Sequence, residues 1–158
     1  MEVTLWGTRG TFPVPGADTV RYGGDTTCLS VCTDDHVLVI DTGTGVRALG
    51  EAITGDGRDV YVMFTHVHAD HVMGFPFFGP LWEEGRSLNV LDHQLGELEW
   101  SATALFDGLH FPLTAPQLPC ELHRLSKDPI EVMAECGITI ERTLLNHPGG
   151  AYGYRIHH

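Results

Sequence analysis

A layered fold of the α+β or α/β class is predicted by three observations. Short apolar runs, alternating or continuous, recur along the chain. Glycine-rich turns punctuate them, and only a few segments carry a helical period. The 158 residues, 42% of them apolar, suit one domain, residues 1–158, with a real hydrophobic core.

Each element can be read in order. "EVTLW" alternates from Glu2 and ends at Gly7. "TTCLSVCT" alternates as well, and the β-branched run "HVLVID" follows it across a tight turn at Asp34 and Asp35, so the pair reads as a hairpin. "DTGTG", from Asp41 to Gly45, ends that strand in a turn, and "VRALGEAI" can form a short helix after it. "DVYVMF", Asp59 to Phe64, is a buried strand by its apolar continuity. "HVMGFPFF" reads as a short helix broken near Pro76, and "SLNVLD" as a strand. In "QLGELEWSATALF", Leu95, Leu98, Ala102, Leu105 and Phe106 are spaced like one helical face. A proline-rich loop, "LHFPLTAPQLP", precedes two last strands, "GITIERTLL" and "AYGYRI". There are no internal repeats and no low-complexity segment.

Charge and cysteine usage narrow the class. Nine Lys and Arg against 21 Asp and Glu give a net charge of −12, which argues against a duplex nucleic-acid binder. A small anionic substrate remains compatible, because a bound dication inverts the local sign. Cys28 and Cys32 lie four apart on one strand, roughly 13 Å at ~3.3 Å per residue, too far to bridge. Four free thiols, no basic and apolar leader and no membrane-length apolar stretch point to a cytoplasmic protein without a membrane partner.

The unusual feature is "THVHADH" at the end of the Asp59–Phe64 run. On an extended chain His66 and His68 point the same way, and Asp70 and His71 fall at the turn that follows. Imidazole and carboxylate at this density suit Zn²⁺, Mn²⁺ or Fe, with Zn²⁺ first.

"THVHADH" resembles the metal-binding signature of the metallo-β-lactamase fold superfamily. "LWGTRGTFPVPG", "RYGGDTTCLSV", "VLVIDTGTGVRALG", "GFPFFGPLW" and "NHPGGAYGYRI" resemble its phosphodiesterase-like branch, related to tRNase Z and to cyclic-nucleotide phosphodiesterases. The resemblance runs from Met1 to Ile156. It implies an αββα four-layer sandwich with metals at one edge. It assigns His66, His68 and His147 to a first ion, and Asp70 and His71 to a second. Asp41 would support the site by holding a ligand imidazole. Asp70 would also be catalytic, orienting a nucleophile or taking its proton. Arg9, Arg21 and His110 are candidate substrate contacts, Thr65 reads as a turn hydroxyl, and His36, His93 and His123 carry no assigned role.

The activity so implied is hydrolysis of a phosphodiester by hydroxide made on the metals. Ester, lactone or thioester hydrolysis at the same centre is the alternative, as is a non-enzymatic metal-fold sensor. tRNA processing is disfavoured by the acidic balance. The resembled fold continues beyond "YGYRI" to a bridging aspartate and a further histidine, whereas no aspartate follows His147 here. The expectation is therefore a sandwich lacking its C-terminal part, about one tight metal per chain and a homo-oligomer that covers the open face. His157 and His158 can be native or part of a tag.

Overall fold

The protein is described here by a computed structural model covering residues 1–95 and 98–157. Its strands are β1 (Glu2–Gly7), β2 (Cys28–Cys32), β3 (His36–Ile40), β4 (Asp59–Met63), β5 (Ser87–Leu91), β6 (His93–Leu95), β7 (Leu98–Trp100), β8 (Glu121–Leu125), β9 (Thr139–Leu145) and β10 (Ala151–His157). Three α-helices accompany them: α1 (Val46–Ala52), α2 (Ala69–Val72) and α3 (Pro129–Glu135).

Six strands form one mixed sheet in the order β1-β2-β3-β4-β5-β8. β1 with β2 and β2 with β3 pair antiparallel, while β3, β4, β5 and β8 pair parallel in turn. β4 contributes Val60, Val62 and Met63, all fully buried, as a strand covered on both faces should. One face packs Val37, Val39, Val60 and Val62 against Leu49 of α1 and against Phe75 and Phe78. The other packs Leu38, Ile40 and Met63 against Met133 of α3 and Ile140 of β9. On that second face, β9 and β10 form an antiparallel hairpin, a separate two-stranded sheet. Val3 and Leu5 of β1 lie beyond its cover and are 54% and 64% exposed. A groove of about 470 Å³ runs there between Val3, Val31 and Ile40 on one side and Tyr154 and Ile156 on the other.

Sequence and structure part in two regions. The helix expected over "QLGELEWSATALF" is instead the β6–β7 hairpin followed by a 3-10 turn, Ala102–Leu105. Leu95 pairs with Leu98 across two antiparallel strands, so their three-residue spacing is not that of a helical face. The two residues between them, 96 and 97, lie outside the described residues, as does His158. β8 and α3 have no counterpart in the sequence reading. The α3 signal was present: Asp128 accepts the Ile130 amide at 2.9 Å, and Pro129 opens the helix. All four cysteines are free. Among the described residues no helix is long and apolar enough to cross a membrane.

Candidate metal centre

Parallel pairing of β3 and β4 decides where the site forms. Ile40 is in register with Met63, so both strands end at the same edge of the sheet and release Asp41 and Thr65 side by side. Asp41 accepts the Thr65 amide at 2.8 Å through Oδ1, and Oδ2 accepts the Thr65 hydroxyl at 2.8 Å. The same Oδ2 lies 2.7 Å from His71 Nδ1. The Thr65 hydroxyl lies 3.0 Å from His66 Nδ1.

This small network sets two tautomers. The Thr65 hydroxyl has one proton and gives it to Asp41, so it accepts from His66 Nδ1–H. His71 gives its Nδ1–H to Asp41 directly. Both imidazoles are left with a bare Nε2, the atom available to an ion. Thr65 is thus a hub of the site, a role that the sequence reading did not give it.

His147 reaches the cluster from the far end of the chain. It sits in the β9–β10 turn, where Gly150 N donates to His147 O at 2.7 Å, and Gly149 and Gly150 hold left-handed φ of 77° and 81°. The hairpin is pinned to the main sheet by Tyr152 N to Thr65 O and by the Tyr154 hydroxyl to Phe64 O, both 2.9 Å. His147 Nε2 then faces His68 Nδ1 at 3.1 Å. One ligand atom from each of His66, His68 and His147 lies within 4.8 Å of the others. Ligands at ~2.1 Å around a tetrahedral ion stand roughly 3.4 Å apart, so a modest contraction suffices. The donor set fits a divalent cation.

Asp70 and His71 stand next to this trio. Asp70 Oδ2 is 3.6 Å from His71 Nε2, again a tetrahedral edge. Asp70 Oδ2 also accepts the Thr11 amide at 2.6 Å.

The charge states differ between the two histidines that Asp41 orients. Burial, reinforced by neighbouring His71, pushes the His66 pKa down to about 4 and keeps it neutral at pH 7. Burial also opposes charge on His71, but the Asp41 hydrogen bond and the Asp41 and Asp70 charges outweigh it, so its pKa is raised. Burial pushes Asp70 upward, yet the Thr11 amide and the His71 charge prevail and hold it below the usual carboxylate range.

The other candidates lie elsewhere. Arg9 and Arg21 line a separate surface recess with Thr8, Asp18 and Tyr22, and Arg9 Nε is engaged with Phe12 O at 2.9 Å. His110 is 83% exposed and pairs with Asp107 at 2.6 Å. A residue without an assigned role is better placed. His93 is 3% exposed, its Nε2 is buried without a partner, and it lines a small cavity with His66, His68 and Gly149.

The family described as the metallo-beta-lactamase superfamily matches residues 21–153. A ribonuclease Z of Lachnospira eligens is 30% identical over 168 residues, covering 99% of this chain and 48% of its own length. One from Lachnoclostridium phytofermentans is 31% identical, with the same coverages. The chain thus spans about half the length of the curated relatives it matches. Two solved structures share the fold. The metallo-beta-lactamase fold protein YhfI of Bacillus subtilis gives a TM-score of 0.61 at 20% identity, covering 98% of this chain and 57% of that one. A diphosphatase of the PhnP family gives 0.62 at 19%, covering 98% and 61%.

Proposed function

The chain belongs to the metallo-beta-lactamase superfamily, and on that premise we propose that it is a metal-dependent hydrolase acting on phosphodiesters. The observation that carries this reading is the convergence of His66, His68 and His147, with His68 and His147 79 residues apart in sequence, on one point. Such a trio leaves a fourth position open, as catalytic sites do. When bound, a divalent ion supplies a Lewis acid and makes hydroxide available at neutral pH. Zn²⁺ suits the three-imidazole pocket, and Mn²⁺ or Fe suits the mixed pair Asp70 and His71.

The chain's own residues do the rest. Asp41 fixes His71 directly and His66 through Thr65, so the ligand atoms face inward before anything binds. Asp70 stays ionised at neutral pH and can orient a water or take its proton. The curated relatives are named ribonuclease Z, which supports a phosphodiester bond as the target. The net charge of −12 favours a small phosphodiester over a polyanionic RNA. The apolar stripe of β1, with Val3 and Leu5 exposed, supports a homo-oligomer that covers it.

Turnover of bis(p-nitrophenyl) phosphate tests the reading. It is expected with Zn²⁺ or Mn²⁺, to be abolished by a chelator and restored by the ion. A panel of esters, lactones and precursor tRNA under the same conditions separates substrate classes, and light scattering measures the assembly. Hydrolysis of esters alone would overturn the phosphodiester assignment.

A further inference from the structure

Two non-glycine residues among those described hold a left-handed backbone: Thr11, at φ 72°, and Asp41, at φ 61°. Both touch the "THVHADH" segment. Asp41 does so through its carboxylate, on Thr65 and His71. Thr11 does so through its backbone, with the amide donating to Asp70 Oδ2 at 2.6 Å across 59 residues of sequence. A β-branched residue is a poor occupant of this backbone region, and such outliers persist where the surroundings dictate them.

The surroundings do dictate it. Arg9 N donates to Asp25 O at 3.0 Å, and Val14 N to Gly24 O at 2.9 Å, closing the base of the loop. Phe12 N turns back on Gly10 O at 2.9 Å, and Arg9 Nε holds Phe12 O at 2.9 Å. A Cβ on Gly24 would fall 2.3 Å from Val14 O, so the two arms of the loop are in contact. At the tip, the Thr11 amide has Asp70 as its partner. The Thr11 side chain is exposed, so the amide is what the loop delivers.

We propose that Thr11 is a positioning residue for the Asp70 side of the metal centre: its amide holds Asp70 Oδ2 and leaves that oxygen's remaining lone pair aimed at the point shared with His71 Nε2, so that this turn sets the affinity of the Asp70–His71 pair for a divalent cation. The inference rests on the metal-dependent reading above. A carboxylate oxygen has two lone pairs, and one amide donor occupies only one of them. The 3.6 Å gap to His71 Nε2 is then the edge that an ion would span.

The test loads the three-histidine pocket with Zn²⁺, the tighter-binding ion, and titrates Mn²⁺ while following broadening of the His71 ring protons by NMR. Thr11→Gly keeps the amide and takes φ 72° without strain, so its Mn²⁺ midpoint is expected within about twofold of wild type. Thr11→Pro removes the donor and cannot adopt that φ, and its midpoint is expected to rise about 10- to 100-fold, as for loss of other groups that orient ligands. In an Asp70→Asn background, Thr11→Pro should add nothing further, because it acts through Asp70. Circular dichroism reports whether each variant folds. A measurement on folded protein without metal does not depend on the proline variant: the Thr11 amide is expected to exchange at least about tenfold more slowly in wild type than in Asp70→Ala. Equal midpoints in wild type and Thr11→Pro, or equal exchange in wild type and Asp70→Ala, would overturn the inference alone. A wild-type chain whose His71 protons never broaden would overturn the metal reading of this side, and the inference with it.

Discussion

Asp41 Oδ2 lies 2.7 Å from His71 Nδ1, and the same oxygen accepts the Thr65 hydroxyl at 2.8 Å. One buried carboxylate therefore orients imidazoles on both sides of the centre. Asp41→Asn keeps a side chain that tolerates the left-handed backbone but cannot accept from every donor. It is expected to lower metal affinity by about 10- to 100-fold. Asp41→Ala should also cost about 1–3 kcal/mol of stability, because the buried Thr65 amide loses its partner. Equilibrium dialysis and urea denaturation measure the two effects.

His66→Ala, His68→Ala and His147→Ala should each lose most bound metal while circular dichroism stays near wild type. The three side chains meet at the sheet edge and contribute little to either core. Metal content by elemental analysis decides it. Unchanged content in any one variant would remove that residue from the ligand set.

Asp70→Asn should lower turnover of a generic phosphodiester by about 100- to 10,000-fold, the range for a lost acid–base or orienting group. The three-histidine pocket should keep its ion. Near wild-type kcat would remove Asp70 from the chemistry.

Gly43 sits under the ligand segment. A Cβ there would fall 2.4 Å from the Asp70 backbone carbonyl and 2.4 Å from Thr26 Oγ1. Gly43→Ala must push the α2 turn outward. An overpacking cost of about 1–3 kcal/mol is expected, together with weaker metal binding. A thermal melt and a metal titration on the same variant show both.

Acid should destabilise the metal-free chain in a defined window. His66 titrates at about 4 in the folded chain, and near 6.5 when unfolded, so the unfolded state binds more protons between these values. Stability contributed by neutral His66 is present above about pH 6.5 and is lost as pH falls toward 4. His71 is shifted the other way: its contribution is complete below about pH 6.5 and fades as pH rises through its raised folded value. Below pH 6.5 the slope therefore belongs to His66 together with His93, whose burial likewise pushes its pKa down. Urea midpoints in a chelator are expected to fall from pH 7 to 4.5 in wild type and to change less in His66→Gln.

Much of this was legible in the sequence for a physical reason. β2, β3 and β4 show a period of two or a short, continuous β-branched run bounded by turn residues, which together favour a strand. The candidate ligand string stands out because His66, His68, Asp70 and His71 are close together in sequence. β8 was not legible, because "ELHRL" is a polar-looking edge strand whose Arg124 is paired across the sheet with Asp92 at 2.6 Å. The β6–β7 pair does not show in the sequence because Leu95 and Leu98, which pair across it, are three residues apart, the spacing of a helical turn. His93 was passed over because a lone histidine after a strand carries no periodic signal; only the fold shows that it lines the cavity beside His66.

The distance along the chain between His68 and His147, 79 residues, has a consequence for biosynthesis. At ~5–20 residues per second, a ribosome would deliver His147 roughly 4–16 s after His68. During that interval the growing polypeptide offers an ion His66 and His68 without the third imidazole. A soft competitor such as Cu⁺, held well by two histidines, would face no geometric selection until the β9–β10 hairpin docks. Docking of that hairpin, through Tyr152 and Tyr154, would then be the step that completes the three-imidazole set and first imposes a geometric choice on an incoming ion.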